Sequence, residues 1–326
     1  MQGAVVALAA LAAAAAGAAT PGWAQDAGNY PNRPIRIIVG FAAGGGNDLF
    51  ARLIGQKLQE NIGNTVIIEN KPGAGARLAA EFVASQPPDG HTLMVSASGG
   101  MSIAAAVYPK LAYHPTKTFV PLTMIANFPL ILAVPSGLPI KSVKELVDYA
   151  KAHPDKANYP STSPAFTITS ELFKLKTGSP GVTVPYKSSN EMMLSIAAEQ
   201  TLYAFTDGPP AMPLIHGGKA RAIAVTGDKR ADELPDVPSM AEAGFPEVDV
   251  HLWSGVFVPA ATPPAIVKKL ETELRRVLAD KEVQQKLRGM AVVPGGGSSD
   301  EFRHMIDGDI EKFTAIAKAA NLKFEQ

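Results

Sequence analysis

Residues 35–47 read IRIIVGFAAGGGN. An apolar run rich in β-branched residues (Ile35, Ile37, Ile38, Val39) ends in the three consecutive glycines 44–46. Asp48 then opens a helical pattern with Leu49, Phe50, Leu53, Ile54, Leu58 and Ile62 on one side. Such spacing predicts a strand, a tight glycine turn and a helix N-terminus. The first backbone N–H groups of a helix have no intrahelical partner, and the helix dipole turns its positive end outward there. Glycine lets another group approach that backbone closely. The stretch therefore reads as half of an anion-binding cleft, with the other half to be found elsewhere in the chain.

Working outward, the pattern repeats. Residues 65–69 (TVIIE) predict a second buried strand, followed by the glycine turn 70–76 and a helix over 77–85 with Leu78, Phe82 and Val83 facing inward. Asp89-Gly90 makes a turn before a third strand, 92–96, which ends in Ser96, Ser98, Gly99, Gly100 and Ser102. Three strand ends with small residues fit the carboxyl edge of a parallel α/β sheet. A long extended stretch follows over 120–134. Ser142 and Glu145 form a capping box for a helix over 143–152. Short strands at 157–160, 182–184, 202–206 and 220–226 alternate with helices and build a second α/β unit. A second long extended run, 248–258, carries Trp253, and three helices follow at 263–279, 281–288 and 300–320. The last starts from a capping box at Ser298 and Glu301. Two extended segments bracketing an inserted unit predict two α/β lobes joined by two hinge strands, with a ligand cleft between them and hinge closure as its motion. The expected boundaries are residues 30–127 with 253–326 for the first domain and 128–252 for the second.

The charge balance narrows the function. Thirty basic residues stand against thirty acidic ones, which leaves no cationic excess to neutralise a nucleic acid. There is no cysteine, so disulfides, thiol nucleophiles and thiolate metal sites are excluded. Residues 3–19 are nearly all Ala, Val, Leu and Gly, and Gly22-Trp23-Ala24 places small residues where a signal peptidase cuts. Residues 1–24 therefore read as a signal peptide and the mature protein as soluble outside the cytoplasm. At about 17 residues the run is shorter than the ~20 that span a bilayer.

Catalytic signatures are missing. No Walker sequence, full dinucleotide fingerprint, Gly-x-Ser-x-Gly elbow, Ser-x-x-Lys or His-Glu-x-x-His occurs. The six histidines are scattered through predicted turns and helix ends. Small polar residues recur instead at the predicted strand ends: Asn47, Ser96, Ser98, Ser161, Thr162, Ser163 and Thr167. They hydrogen-bond carboxylates well and are weak nucleophiles without a neighbouring base. Arg77 sits in the first turn of its helix, where a cation is unfavourable unless an anion joins it, so a carboxylate partner is expected there. No cofactor, metal or catalytic residue is expected.

Further motifs carry a family resemblance. They are Tyr30-Pro31-x-x-Pro34-Ile35-Arg36, Phe41-x-x-Gly44-Gly45-Gly46-x-Asp48, Glu69-Asn70-Lys71-Pro72-Gly73-Ala74-Gly75, Asp89-Gly90, Tyr108-Pro109-Lys110-Leu111, Val184-Pro185-Tyr186-Lys187, Leu234-Pro235-Asp236-Val237-Pro238 and Glu242-Ala243-Gly244. In this order, and across the whole mature chain, the sequence resembles the Bug-type extracytoplasmic solute receptors of tripartite tricarboxylate transporters. The resemblance implies a type II periplasmic-binding-protein fold, a monomer closing on a small carboxylate or dicarboxylate, and membrane permease subunits as partners. Carried over by position, the ligand-binding residues are Phe41, Ala43, Gly44 and Asn47 in the first loop, with Ala74, Gly75 and Arg77 in the second. The first domain adds Ser98, and the second adds Ser161, Thr162, Phe166, Thr167 and Asp207.

The chain departs from the family pattern at Ala42-Ala43 (usually two prolines), Asn47 (usually Thr), Ala76-Arg77 (commonly Gly-Asn) and Thr167 (frequently His). Residues 161–166 replace a glycine-rich segment, and Thr206-Asp207-Gly208 replaces Phe-Asp-Asn. These positions border the distal end of the ligand, where Phe166 and Arg77 suit an aromatic dicarboxylate such as terephthalate. An exported sensor feeding a membrane signalling protein is the alternative reading. An α/β hydrolase is a weaker one, because a nucleophile–base pair is lacking.

Overall fold

The computed structural model describes residues 27–319; the expected signal peptide, residues 1–24, lies outside them. The opening stretch is strand β1 (Ile35–Val39), a loop, and helix α1 (Gly46–Ile62). Ile35, Ile37, Ile38 and Val39 are fully buried, as are Phe50, Ile54 and Leu58 on the inner face of α1. Gly63 ends the helix in the left-handed conformation that glycine tolerates, its N–H donating to Gln59 O. Then come β2 (Val66–Asn70), α2 (Arg77–Ala84), β3 (Thr92–Ala97), the short α3 (Ser102–Val107) and the long β4 (Phe119–Pro129). The chain passes through Leu130 into β5 (Ile131–Pro135), α4 (Val143–Ala152), β6 (Asn158–Ser161), α5 (Pro164–Thr177), β7 (Val182–Pro185), α6 (Ser189–Ala197), β8 (Ala204–Thr206), α7 (Gly208–His216) and β9 (Ala220–Val225). It returns along β10 (His251–Pro259) to α8 (Pro264–Ala279), α9 (Lys281–Arg288), β11 (Val293–Gly296) and α10 (Ser299–Ala319).

Two α/β lobes result. The first holds a six-stranded sheet in the order β11-β4-β10-β3-β1-β2. Strands β2, β1 and β3 are mutually parallel, while β10 runs antiparallel to β3 and β4. The second lobe holds β8-β5-β9, antiparallel throughout, and the parallel pair β6-β7. Leu202 N–H donates to Asn158 O (3.1 Å), which sets the pair beside the three-stranded sheet.

The two crossings are tied together. Thr226, fully buried, accepts from Leu130 N–H (2.8 Å) and donates to Val250 O (2.5 Å). One hydroxyl thus staples the outgoing strand to the returning one.

Two local expectations are corrected, and one strand is added. Strand β2 is the sheet edge and only half-buried, with Ile67 40% exposed. Leu78 turns outward, 54% exposed, and lies over Gly73 instead of entering the core. Strand β11, Val-Pro-Gly-Gly, has no apolar alternation to announce it; it pairs with β4 so closely that a Cβ at Gly295 would stand 2.3 Å from Met124 O.

Candidate functional site

The loop between β1 and α1 is built on Asp48, which is 2% exposed. Its carboxylate accepts from Gly44 N–H (3.0 Å), Arg52 Nε (3.0 Å) and Asn70 Nδ2 (2.9 Å). Asn70 Nδ2 also donates to Phe41 O (2.9 Å), so the end of β2 braces the loop after β1. Burial raises the pKa of Asp48, and hydrogen bonds from Arg52, Gly44 and Asn70 outweigh it, leaving the carboxyl below its usual value. The second loop stores strain: Ala74 and Ala76 hold φ of 49° and 76°, a left-handed region costly for residues with a Cβ.

Where the lobes meet, a cavity is lined from the first lobe by Phe41, Gly45, Gly46, Asn47, Ala97 and Gly99. The second lobe contributes Thr162, Ser163, Ala165, Phe166, Ser189 and Asp207, and the hinge strands add Phe128 and Leu252. The lobes are closed on each other, leaving ≈ 20 Å³ between them, about the room one water needs. Direct contacts hold the closure. Ala42 N–H donates to Lys187 O (3.4 Å), and Gly46 N–H faces Ser189 Oγ at 3.4 Å.

The glycines acquire a second reason here. A Cβ on Gly46 would lie 1.9 Å from Asp207 Oδ2, and one on Gly99 would lie 2.7 Å from Ser163 Oγ. Their bare backbone admits side chains of the opposite lobe as well as any ligand.

Three helices start at this cavity: α1, α5 and α7, of 17, 14 and 9 residues. Their N-caps, Gly45, Ser163 and Asp207, make no side-chain capping bond. Elsewhere Ser142 caps α4 and Asp280 caps α9, whereas α2, α3 and α8 also start without a side-chain cap. Helix α6, which brings Ser189 to the cavity, is also capped, by Ser188. Three positive dipole ends therefore converge without the usual neutralising cap. The Thr162 hydroxyl is buried there with no hydrogen-bond partner. Asp207 is 4% exposed, and burial raises its pKa more than hydrogen bonds from Ser189, its own backbone, Thr206 and Gly46 lower it.

Of the residues expected from sequence, the structure brings Phe41, Asn47, Thr162, Phe166 and Asp207 to the cavity wall. Gly44 holds the loop through Asp48, and Gly75 lies against Pro164 and Ser163 of the other lobe. Ser161 donates to Ser163 O (3.0 Å) and pairs with Thr167 Oγ1 (2.8 Å), so both hydroxyls shape the turn before α5. Ser98 is buried behind the wall, facing Trp253 N–H at 3.5 Å. Ala43 and Ala74 are exposed and outside the lining. Arg77 is outside it too: Nε donates to Ala74 O (3.0 Å) and the guanidinium stacks on Tyr108, 4.0 Å from the ring centre. Within the protein it meets an aromatic face and a carbonyl.

Sequence reasoning missed Phe128, Leu252, Ala97, Ala165 and Ser189. The first four read as ordinary core residues. The Ser188-Ser189 pair was a usable signal, one serine capping α6 and the next left for the cleft. Among the described residues no group of three or more side chains could hold a metal ion, and no helix is long and apolar enough to cross a membrane.

Comparison with known proteins sharpens these observations. Residues 50–322 match the family model described as a tripartite tricarboxylate transporter family receptor. Rpa4515 of R. palustris, solved with adipate, is 32% identical with a TM-score of 0.85, over 90% of this chain and 99% of that one. MatC of Rhodopseudomonas palustris, with bound malate, is 30% identical with a TM-score of 0.84, over 88% and 99%. The periplasmic binding protein BugD is 28% identical with a TM-score of 0.87, over 91% and 100%.

Proposed function

The chain belongs to the tripartite tricarboxylate transporter receptor family, and from that premise we propose that it captures a small organic acid by its carboxylate in the cleft between the lobes. It is a periplasmic solute receptor and no enzyme. The observation that carries the ligand reading is the convergence of three uncapped helix N-termini on one buried cavity, beside a partnerless Thr162 hydroxyl. An anion there meets helix dipole ends that no side-chain cap covers. The bound acids of Rpa4515 and MatC, adipate and malate, support the same chemistry.

In this reading Phe41, Asn47 and the Gly45-Gly46 backbone form the first-lobe grip, and Thr162, Phe166 and Asp207 form the second. The domains divide at 127/128 and 252/253, close to the Leu130–Thr226–Val250 staple. The loaded, closed receptor delivers its ligand to membrane permease subunits, and residues 1–24 direct export. An aromatic dicarboxylate such as terephthalate loses support, because Arg77 is not in the cavity to meet its second carboxylate.

Calorimetry and thermal unfolding with a panel of mono-, di- and tricarboxylates test the proposal. A true ligand at about 100 times its Kd adds about 2.7 kcal/mol of stability. A protein stabilised by no organic acid, and only by sugars or cations, would refute it.

A further inference from the structure

Strand β10 brings the chain back between the lobes, and its residues 253–255 divide between two faces of the sheet. Trp253 and Gly255 turn to α10: Trp253 Nε1 donates to Asp309 (2.6 Å), and a Cβ on Gly255 would stand 2.3 Å from Phe302 Cζ. Ser254, between them, takes the opposite face by strand alternation, where α1 begins. It is fully buried and pairs across the sheet with Ala97 of the cavity wall. Its hydroxyl donates to Asn47 Oδ1 at 2.8 Å.

A carboxamide has two unlike ends: its oxygen only accepts, and its nitrogen only donates. Unanchored, it can turn either end to a ligand. Here Ser254 engages the oxygen, the nitrogen has no acceptor among the described residues, and Asn47 lines the cavity. The amide held this way offers the cavity donors alone. Carboxylate oxygens only accept, so the two match in hydrogen-bond polarity. The reversed amide would set its own oxygen against the acid, lone pair against lone pair. Ser254 is suited to prevent that reversal, because Trp253 and Gly255 on either side of it are fixed against α10. A binding group is precise when a second set of contacts holds its rotamer.

We propose that Ser254 is a positioning residue for ligand binding: by donating to Asn47 Oδ1 it holds the carboxamide with Nδ2 toward the acid in the cleft. Ser254 does not itself touch the ligand. The hinge strand thereby sets the polarity of the first-lobe grip. This inference rests on the reading of the cavity as an organic-acid site.

A double-mutant cycle tests it, read by titration calorimetry on the mature chain. The probe is the tightest binder among adipate, malate, succinate and benzoate. Asn47→Ala weakens the probe by about tenfold, the scale of a hydrogen bond to a charged group. Ser254→Ala weakens it by at least about threefold in the natural chain, and by less than about 1.5-fold once Asn47 is alanine, since coupled residues are non-additive. An equal loss in both backgrounds would mean that Ser254 serves only the strand, and would overturn the proposal while leaving the receptor reading in place. No binding of any of the four acids by the natural chain would overturn both. If Ser254→Ala does not fold, Ser254→Cys, close in shape and a far weaker donor, takes its place in the cycle with the same expectation. A measurement on the natural chain stands beside the variants: the Asn47 side-chain NH2 signals in NMR, assigned by their loss in Asn47→Ala, exchange more slowly with water when the probe is added. Unchanged exchange at saturating probe would overturn the proposal.

Discussion

Two buried aspartates on opposite sides of the cleft have opposite electrostatic fates. Asp48, behind the first wall, is surrounded by donors from Gly44, Arg52 and Asn70, and its carboxyl is held below the usual value. Asp207, in the second wall, has too few donors to offset its burial, and its carboxyl is pushed up. The first is a finished structural joint that fixes the backbone of the 41–47 loop. The second is left under-partnered at the cavity surface. The difference separates two tasks: one wall presents rigid main chain to a carboxylate, and the other presents side chains whose needs a particular ligand must meet.

The largest expected effect breaks the finished joint. Asp48→Ala deletes an acceptor with three donors and leaves Asn70 and the Gly44 N–H without it. Charged hydrogen bonds are worth roughly 1.5–3 kcal/mol, and Arg52 is half-exposed, so its share is small. A fall of about 3 kcal/mol in urea-unfolding stability is expected, with loss of acid binding measured by calorimetry. Unchanged stability would mean that the loop does not depend on this joint.

The two aspartates should also respond to pH with opposite signs. For Asp48 the native pKa lies below the unfolded one, so its contribution is present above the ordinary aspartate range and is lost as pH falls through the lowered value. For Asp207 the native pKa is raised, so the native state holds its proton more firmly. Its ionisation costs stability, and that cost appears as pH rises through the raised value. Unfolding midpoints measured from acid to neutral pH should show Asp207→Asn gaining on the natural protein as pH rises, and Asp48→Ala losing ground. Parallel curves for the two variants would dissolve the contrast.

Thr162→Val sharpens the second half of the comparison. Its hydroxyl has no partner in the closed molecule, so removing it should leave unfolding stability within about 0.5 kcal/mol. Acid binding should weaken by about 1 kcal/mol, the net worth of one neutral hydrogen bond. A variant that lost stability as well would show that the hydroxyl serves the fold.

Much of this division can be read in the chain itself. β1, the glycine loop and α1 are legible because an apolar β-branched run, a glycine run and helical spacing occur within a few residues of each other. The capping boxes at Ser142 and Ser298 are legible because they are local, and both form. Phe128 and Leu252 are not, because a hinge-strand residue facing a cleft has the same composition as one facing a core. β11 is hidden for a related reason: its glycines answer to the carbonyl of Met124 on another strand. Asp207 is visible as a strand-end acid, whereas its missing donors depend on how two lobes close.

Arg77 is the smallest expected effect and the sharpest test of how far local reasoning reaches. A cation in the first turn of α2 faces an unfavourable dipole, which locally argues for an anion beside it. The structure answers that need differently: Nε reaches the Ala74 carbonyl and the guanidinium lies over Tyr108. Arg77→Ala should therefore cost about 0.5–1 kcal/mol of stability, the worth of an exposed cation–π contact. Acid affinity should stay within about twofold, under 0.5 kcal/mol. A tenfold loss of affinity on this substitution would bring Arg77 into the grip after all. It would supply the cation that the described lining of the cavity lacks.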